Sequence, residues 1–220
     1  MNWDNLRFPA AGGDWSIPLQ ILLWMTLLVL LPAAIASVTP FLRLLVVFHF
    51  LRQALGTQTT PSNQVLVGLS LFLTLVLMRP TGERIYQQAI APLDRGEITQ
   101  RQALERAAGP LKQFLARYVR EKDVALMVEI SRLERPRNLD QLDLPVLVPA
   151  YILSELKAGF QIGAVLFLPF LIIDLLVASI TLSLGMMQLP PVMISAPFKI
   201  LLFVLVDGWN LVVSSLVKSF

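Results

Sequence analysis

The stretch YILSELKAGFQIGAVLFLPFLIIDLLVASITLSLGMM, residues 151–187, is strongly apolar yet carries Glu155, Lys157 and Asp174. A charged side chain at mid-membrane costs about 2.5–3.5 kcal/mol on insertion scales. Such charges become tolerable when they pair with opposite charges or when the segment faces other protein chains. The stretch therefore predicts a membrane-type helix that packs against protein, within one chain or between chains.

A second apolar segment, Val192–Val217, follows and is interrupted only by Lys199 and Asp207. The connecting residues 185–191 read GMMQLPP, which predicts a loop because glycine permits a departure from helix and proline blocks its resumption. Residues 145–220 are thus predicted to form an apolar helical hairpin with two methionines at its loop.

Towards the N-terminus, Ile17–Val38 holds 22 residues without a charge, enough for about 33 Å of helix and a bilayer-length span. Phe41–Leu55 is shorter and carries Arg43, Arg52 and the single histidine, whereas Val65–Met78 has 14 apolar or small residues. These two pieces predict half-length helices that meet at a polar loop. Broken helices persist at membrane depth only where protein or a water-filled cavity covers them.

The middle of the chain, residues 80–144, contains 21 of the 33 charged residues and predicts a helical polar insert. Thr99 and Gln102 have the spacing of a capping box at a helix start. Gly109-Pro110 is predicted to interrupt that helix, and Asp123 to begin another that ends near Arg135-Pro136. The chain is therefore expected to be all-α, with an apolar segment 1–79, the insert 80–144 and the hairpin 145–220.

Composition narrows the function classes. Of 220 residues, 55% are hydrophobic and 15% charged, with no cysteine and one histidine, so disulfides, thiolate sites and multi-histidine metal centres are excluded. No nucleophile elbow, zinc-protease motif or phosphate-binding loop is present. The net charge of +3 without a basic run gives no nucleic-acid footprint. We expect a non-enzymatic membrane subunit without a cofactor.

The charges inside apolar segments are predicted to form buried ion pairs, within or between subunits. The specific expectation is Glu155 with Lys199, and Asp174 or Asp207 are alternative partners for that lysine. A proton relay is the other interpretation, although the chain lacks enough full-length spans for an inverted-repeat transporter. The candidate residues are Arg43, Arg52, Glu155, Asp174, Lys199 and Asp207.

Gly159 and Gly163 form a small-xxx-small pair, which lets two helices approach closely. No secretory signal peptide is expected before Ile17, since residues 1–20 carry two acids and no cleavage-site pattern.

Several long strings resemble, in order and over nearly the whole chain, the FliP family, the P subunit of the flagellar type III export gate. The string at residues 50–58 has the flagellar form, whereas injectisome relatives typically vary at these positions. The strings are FLRQALGTQ (50–58), NQVLVG (63–68), SELKAGFQIG (154–163), LPFLIID (168–174), GMMQLPPVMIS (185–195) and PFKILLFVLVDGW (197–209).

The resemblance implies a ring of about five copies that joins the Q and R subunits of the gate, in contact with other export-apparatus proteins and membrane lipid. It implies a spiral of helical hairpins, raised largely out of the bilayer plane within the flagellar basal body at the bacterial inner membrane. Unfolded flagellar proteins would pass through this conduit, powered elsewhere. The alternatives are an injectisome gate subunit, a structural scaffold of the basal body and a secondary transporter.

The family's loop commonly has three consecutive methionines and its members often have a cleaved signal peptide. Here the loop reads Met186, Met187 and Gln188, which implies a softer or wetter constriction. These three residues are predicted to form the pore gate, because flexible thioether chains adapt to irregular partners. The alternative is a structural role, in which the methionine pair fills a gap in the core.

Overall fold

The computed structural model describes residues 17–132, 142–185 and 190–220. Every regular element assigned in these ranges is a helix, which confirms the predicted all-α fold for them. Residues 1–36 and 37–220 form two separate compact units. The predicted boundary at residue 79 lies inside a helix, as the helix limits below show.

The described part of the first unit consists almost entirely of helix α1, Ile17–Ser37. Its limits agree with the predicted span to within one residue, and Pro32 lies inside it. Its apolar length from Pro18 to Ser37 is sufficient to cross a membrane.

The second unit contains the remaining helices, which are connected by short loops. In chain order they are α2 (Phe41–Ala54), α3 (Asn63–Ile85), a π-helical segment (Tyr86–Ile90), α4 (Ala91–Asp94), α5 (Gln100–Tyr118), α6 (Glu121–Ile130), α7 (Leu144–Ser183), α8 (Pro191–Leu205) and α9 (Gly208–Lys218).

Helix α2 lies at the centre of the first hydrophobic cluster. Its side chains Leu44, Val47, Phe48 and Leu51 have no exposed surface and form a core with residues of α3, α7, α8 and α9. Burying an aliphatic or aromatic side chain of this size stabilises the fold by about 1.5–3 kcal/mol. The half-length helix predicted here is therefore stabilised by a covering of other helices.

A second cluster joins the polar middle of the chain to the start of α7. Phe114 and Leu115 of α5 and Val128 of α6 pack with Leu147 and Tyr151 of α7. The amphipathic helices of the middle segment therefore dock on α7, and this segment belongs to the same compact unit as the hairpin.

The prediction of two half-length helices is right for α2 and wrong for α3. Helix α3 has 23 residues and continues through Pro80. Inside a helix, proline removes one hydrogen bond and its ring crowds the carbonyl four residues earlier, but it does not end α3. The Arg79–Glu83 contact spans it on the helix surface, with Nε and Oε1 2.9 Å apart. The polar insert therefore begins inside a continuous helix.

Two further expectations in the middle segment are wrong. Helix α5 is not interrupted at Gly109-Pro110, because the residue before the proline lacks the Cβ that would clash with the proline ring in helical conformation. Helix α6 starts at Glu121 and ends at Ile130, earlier than predicted. The capping box is confirmed: Gln102 N–H donates to Thr99 Oγ1, and Thr99 N–H donates to the Gln102 side chain.

The final apolar segment is a broken helix. Helices α8 and α9 meet at 66°, and Asp207 between them adopts a left-handed backbone with φ of 51°. Within the described residues, α1, the α3–α4 stretch Asn63–Asp94 and α7 are each long and apolar enough to cross a membrane, and the bent α8–α9 pair gives a fourth candidate.

Candidate functional site

Helices α2 and α7 run side by side in the same direction, and two glycines set their separation. A Cβ on Gly159 would lie 3.0 Å from Val46 Cγ1, and a Cβ on Gly163 would lie 2.5 Å from Phe50 Cγ. Both glycines are buried. The predicted small-xxx-small pair thus lies on the face of α7 that contacts α2, where larger side chains have no room.

This close approach places Arg43 of α2 against Glu155 of α7. Arg43 Nε donates to Glu155 Oε2 at 3.0 Å and Nη2 donates to Oε1 at 2.5 Å. Glu155 has no exposed surface and the arginine side chain is 7% exposed. The two-point geometry is that of the strongest arginine–carboxylate pairs, so the charges stabilise the α2–α7 contact.

The same guanidinium also holds the last residues of the chain. Arg43 Nη1 donates to the Ser219 carbonyl oxygen at 3.2 Å and lies 3.1 Å from the Ser219 hydroxyl oxygen. The Phe220 ring centroid lies 3.9 Å from Arg43 Cζ, a cation–π contact. Tyr118 of α5 donates its hydroxyl to the Phe220 main-chain oxygen. One buried cation therefore links α2, α7 and the chain end, to which α5 is also bonded.

A second ionic network joins α7 to α8. Lys199 Nζ lies 2.6 Å from Asp174 Oδ2, and the Ser195 hydroxyl donates to Asp174 Oδ1 at 2.5 Å. Lys199 is 2% exposed and Asp174 is about a quarter exposed. The aspartate is therefore shared by two donors on consecutive turns of α8, and it fixes the register of the hairpin.

The predicted pairing of Glu155 with Lys199 is wrong within the chain. Lys199 meets α7 at Asp174, which is 19 residues from Glu155. That separation is about 28 Å along a helix. The alternative assignment of Lys199 to Asp174 is the one that the structure shows.

Arg52 contacts no carboxylate among the described residues, so the ion pair expected for it is not formed within this part of the chain. Its Nη2 donates to His49 Nδ1 at 3.0 Å, and its Nη1 lies 3.4 Å from the Pro61 carbonyl oxygen. Burial, followed by the neighbouring arginine, lowers the pKa of His49 below its usual 6.5. The imidazole is therefore neutral at pH 7 with its Nδ1 as acceptor, and the pair ties α2 to the loop before α3.

The ion pair expected for Asp207 is not formed within the described part of the chain either. It occupies the position before α9 and its side chain makes no capping hydrogen bond. Gly208 follows because a Cβ there would lie 2.2 Å from Phe203 Cδ2. In the part of the chain that the structure describes, Asp207 forms no ion pair.

Sequence reasoning missed a third polar network. Arg120 donates from Nε and Nη2 to the Asp123 carboxylate at 2.8 Å each, and the Ser154 hydroxyl oxygen lies 2.5 Å from Asp123 Oδ2. The Arg120 N–H donates to the Ser154 hydroxyl oxygen at 3.0 Å. Asp123 was expected only as a helix start. The signal available in the sequence was the i, i+3 spacing of the two charges at the start of α6.

The candidate gate residues Met186, Met187 and Gln188 lie outside the described residues. The structure does give the helix ends on both sides. Gly185, two residues after the end of α7, has φ of +73°, a left-handed conformation that favours glycine at a helix C-terminus. Pro191 is the first residue of α8, a position where proline is favoured.

Known proteins of one family match this chain over most of its length. The sequence model of the FliP family matches residues 24–216. The flagellar biosynthetic protein FliP of Pectobacterium carotovorum is 47% identical over 96% of this chain and 82% of its own length. The proteins of the same name from Bacillus subtilis and Borreliella burgdorferi are 47% and 41% identical, over 93% and 100% of this chain and 93% and 88% of their own lengths.

Proposed function

This chain belongs to the FliP family, and from that premise we propose that it is a subunit of the flagellar type III export gate. The observation that carries the proposal is the similarity of 93–100% of the chain to proteins named flagellar biosynthetic protein FliP. The apolar helices α1, α3 and α7 support a place for it in the membrane-associated flagellar apparatus. Its role is that of a conduit, and we assign it no catalytic step.

We further propose that several copies, about five, surround a path for unfolded flagellar proteins together with the Q and R subunits at the bacterial inner membrane. The exposed apolar residues of α3, α7 and α8 support this assembly, because patches of this extent mark contacts with protein or lipid. They include Phe72, Val76, Val165, Ile172, Leu176, Ile180, Phe198, Leu201 and Val204.

In this assembly the buried ion pairs act as structural links. Arg43 with Glu155 and Lys199 with Asp174 are each satisfied inside the chain. A proton relay needs a free group that exchanges protons with water. Glu155 has no exposed surface, and both carboxylate oxygens of the partly exposed Asp174 are bonded, to Lys199 and Ser195. The networks therefore support a rigid hairpin scaffold.

The assignment is tested by deleting the gene in the organism that encodes it. We expect flagellar filament protein to disappear from the culture medium and motility to be lost, because the conduit is missing. Expression of the intact chain in trans restores both. Continued filament secretion by the deletion strain would contradict the assignment. Loss of virulence-type secretion alone would instead identify an injectisome subunit.

The gate is tested by replacing Met186 and Met187 together with alanine. We expect normal assembly but a raised ion conductance across the membrane, because alanine removes the flexible side chains proposed to seal the path. Conductance is measured on the purified complex in planar bilayers. Met193→Ala is the matched control, since Met193 is an exposed methionine on α8 outside the loop. Unchanged conductance in an assembled double variant would refute the gating role.

A further inference from the structure

Two opposite charges in the C-terminal part of the chain have no partner among the described residues. Lys157 lies on α7 and Asp207 lies between α8 and α9, and both are exposed. Neither side chain forms an ion pair or a hydrogen bond with the residues that the structure describes. Each of the other two acids of residues 145–220 already has a basic partner, Glu155 with Arg43 and Asp174 with Lys199.

Both charges interrupt apolar surface. On α7, Phe160 is exposed three residues from Lys157, and next to Asp207 Leu205 and Val206 are exposed. A charge in such surroundings is unfavourable against lipid unless an opposite charge meets it. The two sites are therefore complementary in charge and similar in their apolar surroundings.

The two groups cannot be brought together by a small movement within one chain. Helices α7 and α8 are antiparallel, with Asp174 beside Lys199 and Phe170 beside Phe203. Asp207 is thus level with about residue 166 of α7. Lys157 lies nine residues further towards the α7 N-terminus, an offset of about 13 Å at 1.5 Å per residue.

Two other basic residues of the apolar segments, Arg52 and Lys218, fit less well as partners for Asp207. Arg52 is half-buried and bonded to His49 and the Pro61 carbonyl. Lys218 lies in the last turn of α9, where a cation is stabilised by the free carbonyl groups of the helix end. Lys157 lies in the interior of a 40-residue helix and has no such stabilisation.

We propose that Lys157 of one copy pairs with Asp207 of the next copy, across a head-to-tail contact between exposed apolar faces. This inference rests on the proposed assembly of several copies. The contact uses different surfaces on the two copies, so it is heterologous and repeats from copy to copy. Lys157 and Asp207 lie at different levels along α7, and a lysine side chain spans only part of this offset. Each copy must therefore be displaced along the helix axis relative to the next copy. A displaced heterologous contact builds a spiral instead of a flat closed ring.

A purely local role for Asp207 is the competing explanation, because aspartate tolerates the left-handed conformation. Asparagine tolerates it equally and carries no charge. Asp207→Asn is therefore expected to keep the fold of the chain, measured by its helical circular dichroism, while lowering the number of copies per complex. Full assembly of the Asp207→Asn complex would overturn the pairing.

Cross-linking tests the contact directly, since the chain contains no cysteine. The variant Lys157→Cys with Asp207→Cys is expressed with its partner subunits, extracted in detergent and treated with a short bis-methanethiosulfonate reagent. We expect a ladder of dimers, trimers and higher species, because replacing both charges leaves neither of them unpaired at the contact. Each single variant stays monomeric, because one cysteine per copy cannot form a head-to-tail link. Leu104→Cys with Leu205→Cys is the control and is expected to give no ladder, since both leucines are 74% exposed and this variant keeps Lys157 and Asp207.

The outcomes separate this contact from the assembly itself. A complex that contains several copies by native mass spectrometry but gives no ladder overturns the pairing and leaves the proposed function standing. Dimers from a single-cysteine variant, or cross-links only to another subunit, also overturn it. A complex with one copy overturns both the pairing and the proposed assembly.

Discussion

Replacing Glu155 with alanine is expected to destabilise the folded chain by about 3–5 kcal/mol, because it leaves the Arg43 guanidinium buried without its counter-charge. Both nitrogen–oxygen contacts of the pair are lost, and the arginine is shielded from water by α7 and Phe220. The arginine also holds Ser219, so we expect the chain end to detach from α2. The measurement is the free energy of unfolding in detergent, followed by circular dichroism against added denaturing detergent.

Glu83→Ala is the matched control for this prediction. Glu83 also pairs with an arginine, Arg79, through a contact of 2.9 Å, but its side chain is 58% exposed. Exposed ion pairs contribute about 0–1 kcal/mol, so this variant is expected to resemble the parent chain. If the two variants lost similar amounts of stability, burial of the Arg43–Glu155 pair would not be what makes it important.

Exchange of the two charges refines the test. The double variant Arg43→Glu with Glu155→Arg restores opposite charges across α2 and α7, although the contacts with Ser219 and Phe220 are not restored. We expect it to recover part of the stability that each single replacement loses, because coupled neighbours are not additive. No recovery would mean that the pair acts through shape and not through charge.

Replacing Gly163 with alanine is expected to cost about 1–3 kcal/mol, the usual penalty for overpacking a tight contact. The added Cβ would lie 2.5 Å from Phe50 Cγ and 2.8 Å from Phe50 Cβ. Because the Cβ of Phe50 is fixed to the α2 backbone, rotation of the ring does not relieve the clash and the two helices must separate. Unfolding measurements in detergent give the cost, and loss of the multi-subunit complex shows its consequence for assembly.

Gly82→Ala is the control, for which we expect a gain of stability instead of a loss. Gly82 lies in α3, and nothing lies within 4 Å of the Cβ that alanine would add. Glycine inside a helix is less favourable than alanine by about 0.5–1 kcal/mol, so this variant is expected to gain stability. A gain from Gly163→Ala as well would show that the α2–α7 separation is not limited by this residue.

The positions of the helices were largely predictable because hydropathy and capping are local properties of the chain. The predicted limits of the uncharged run agree with those of α1 to within one residue. The capping box lies at Thr99 and Gln102, as predicted. The prolines were misjudged. Gly109-Pro110 was expected to interrupt a helix, yet α5 continues because Gly109 has no Cβ to clash with the proline ring. Helix α3 likewise continues past the predicted limit at Met78 and through Pro80.

Sequence patterns were enough to predict an all-helical chain of this family whose apolar segments contain charges in need of partners. The identity of those partners depends on how the helices pack. Glu155 binds Arg43, which is 112 residues away in the chain, and Lys199 binds Asp174. The reason is physical, because an ion pair forms only over a few ångströms. Which charges come that close depends on the direction of each helix and on how far it is shifted along its neighbour. Those follow from the packing of α2 and α8 on α7, where Gly163 and Phe170 fix the contacts.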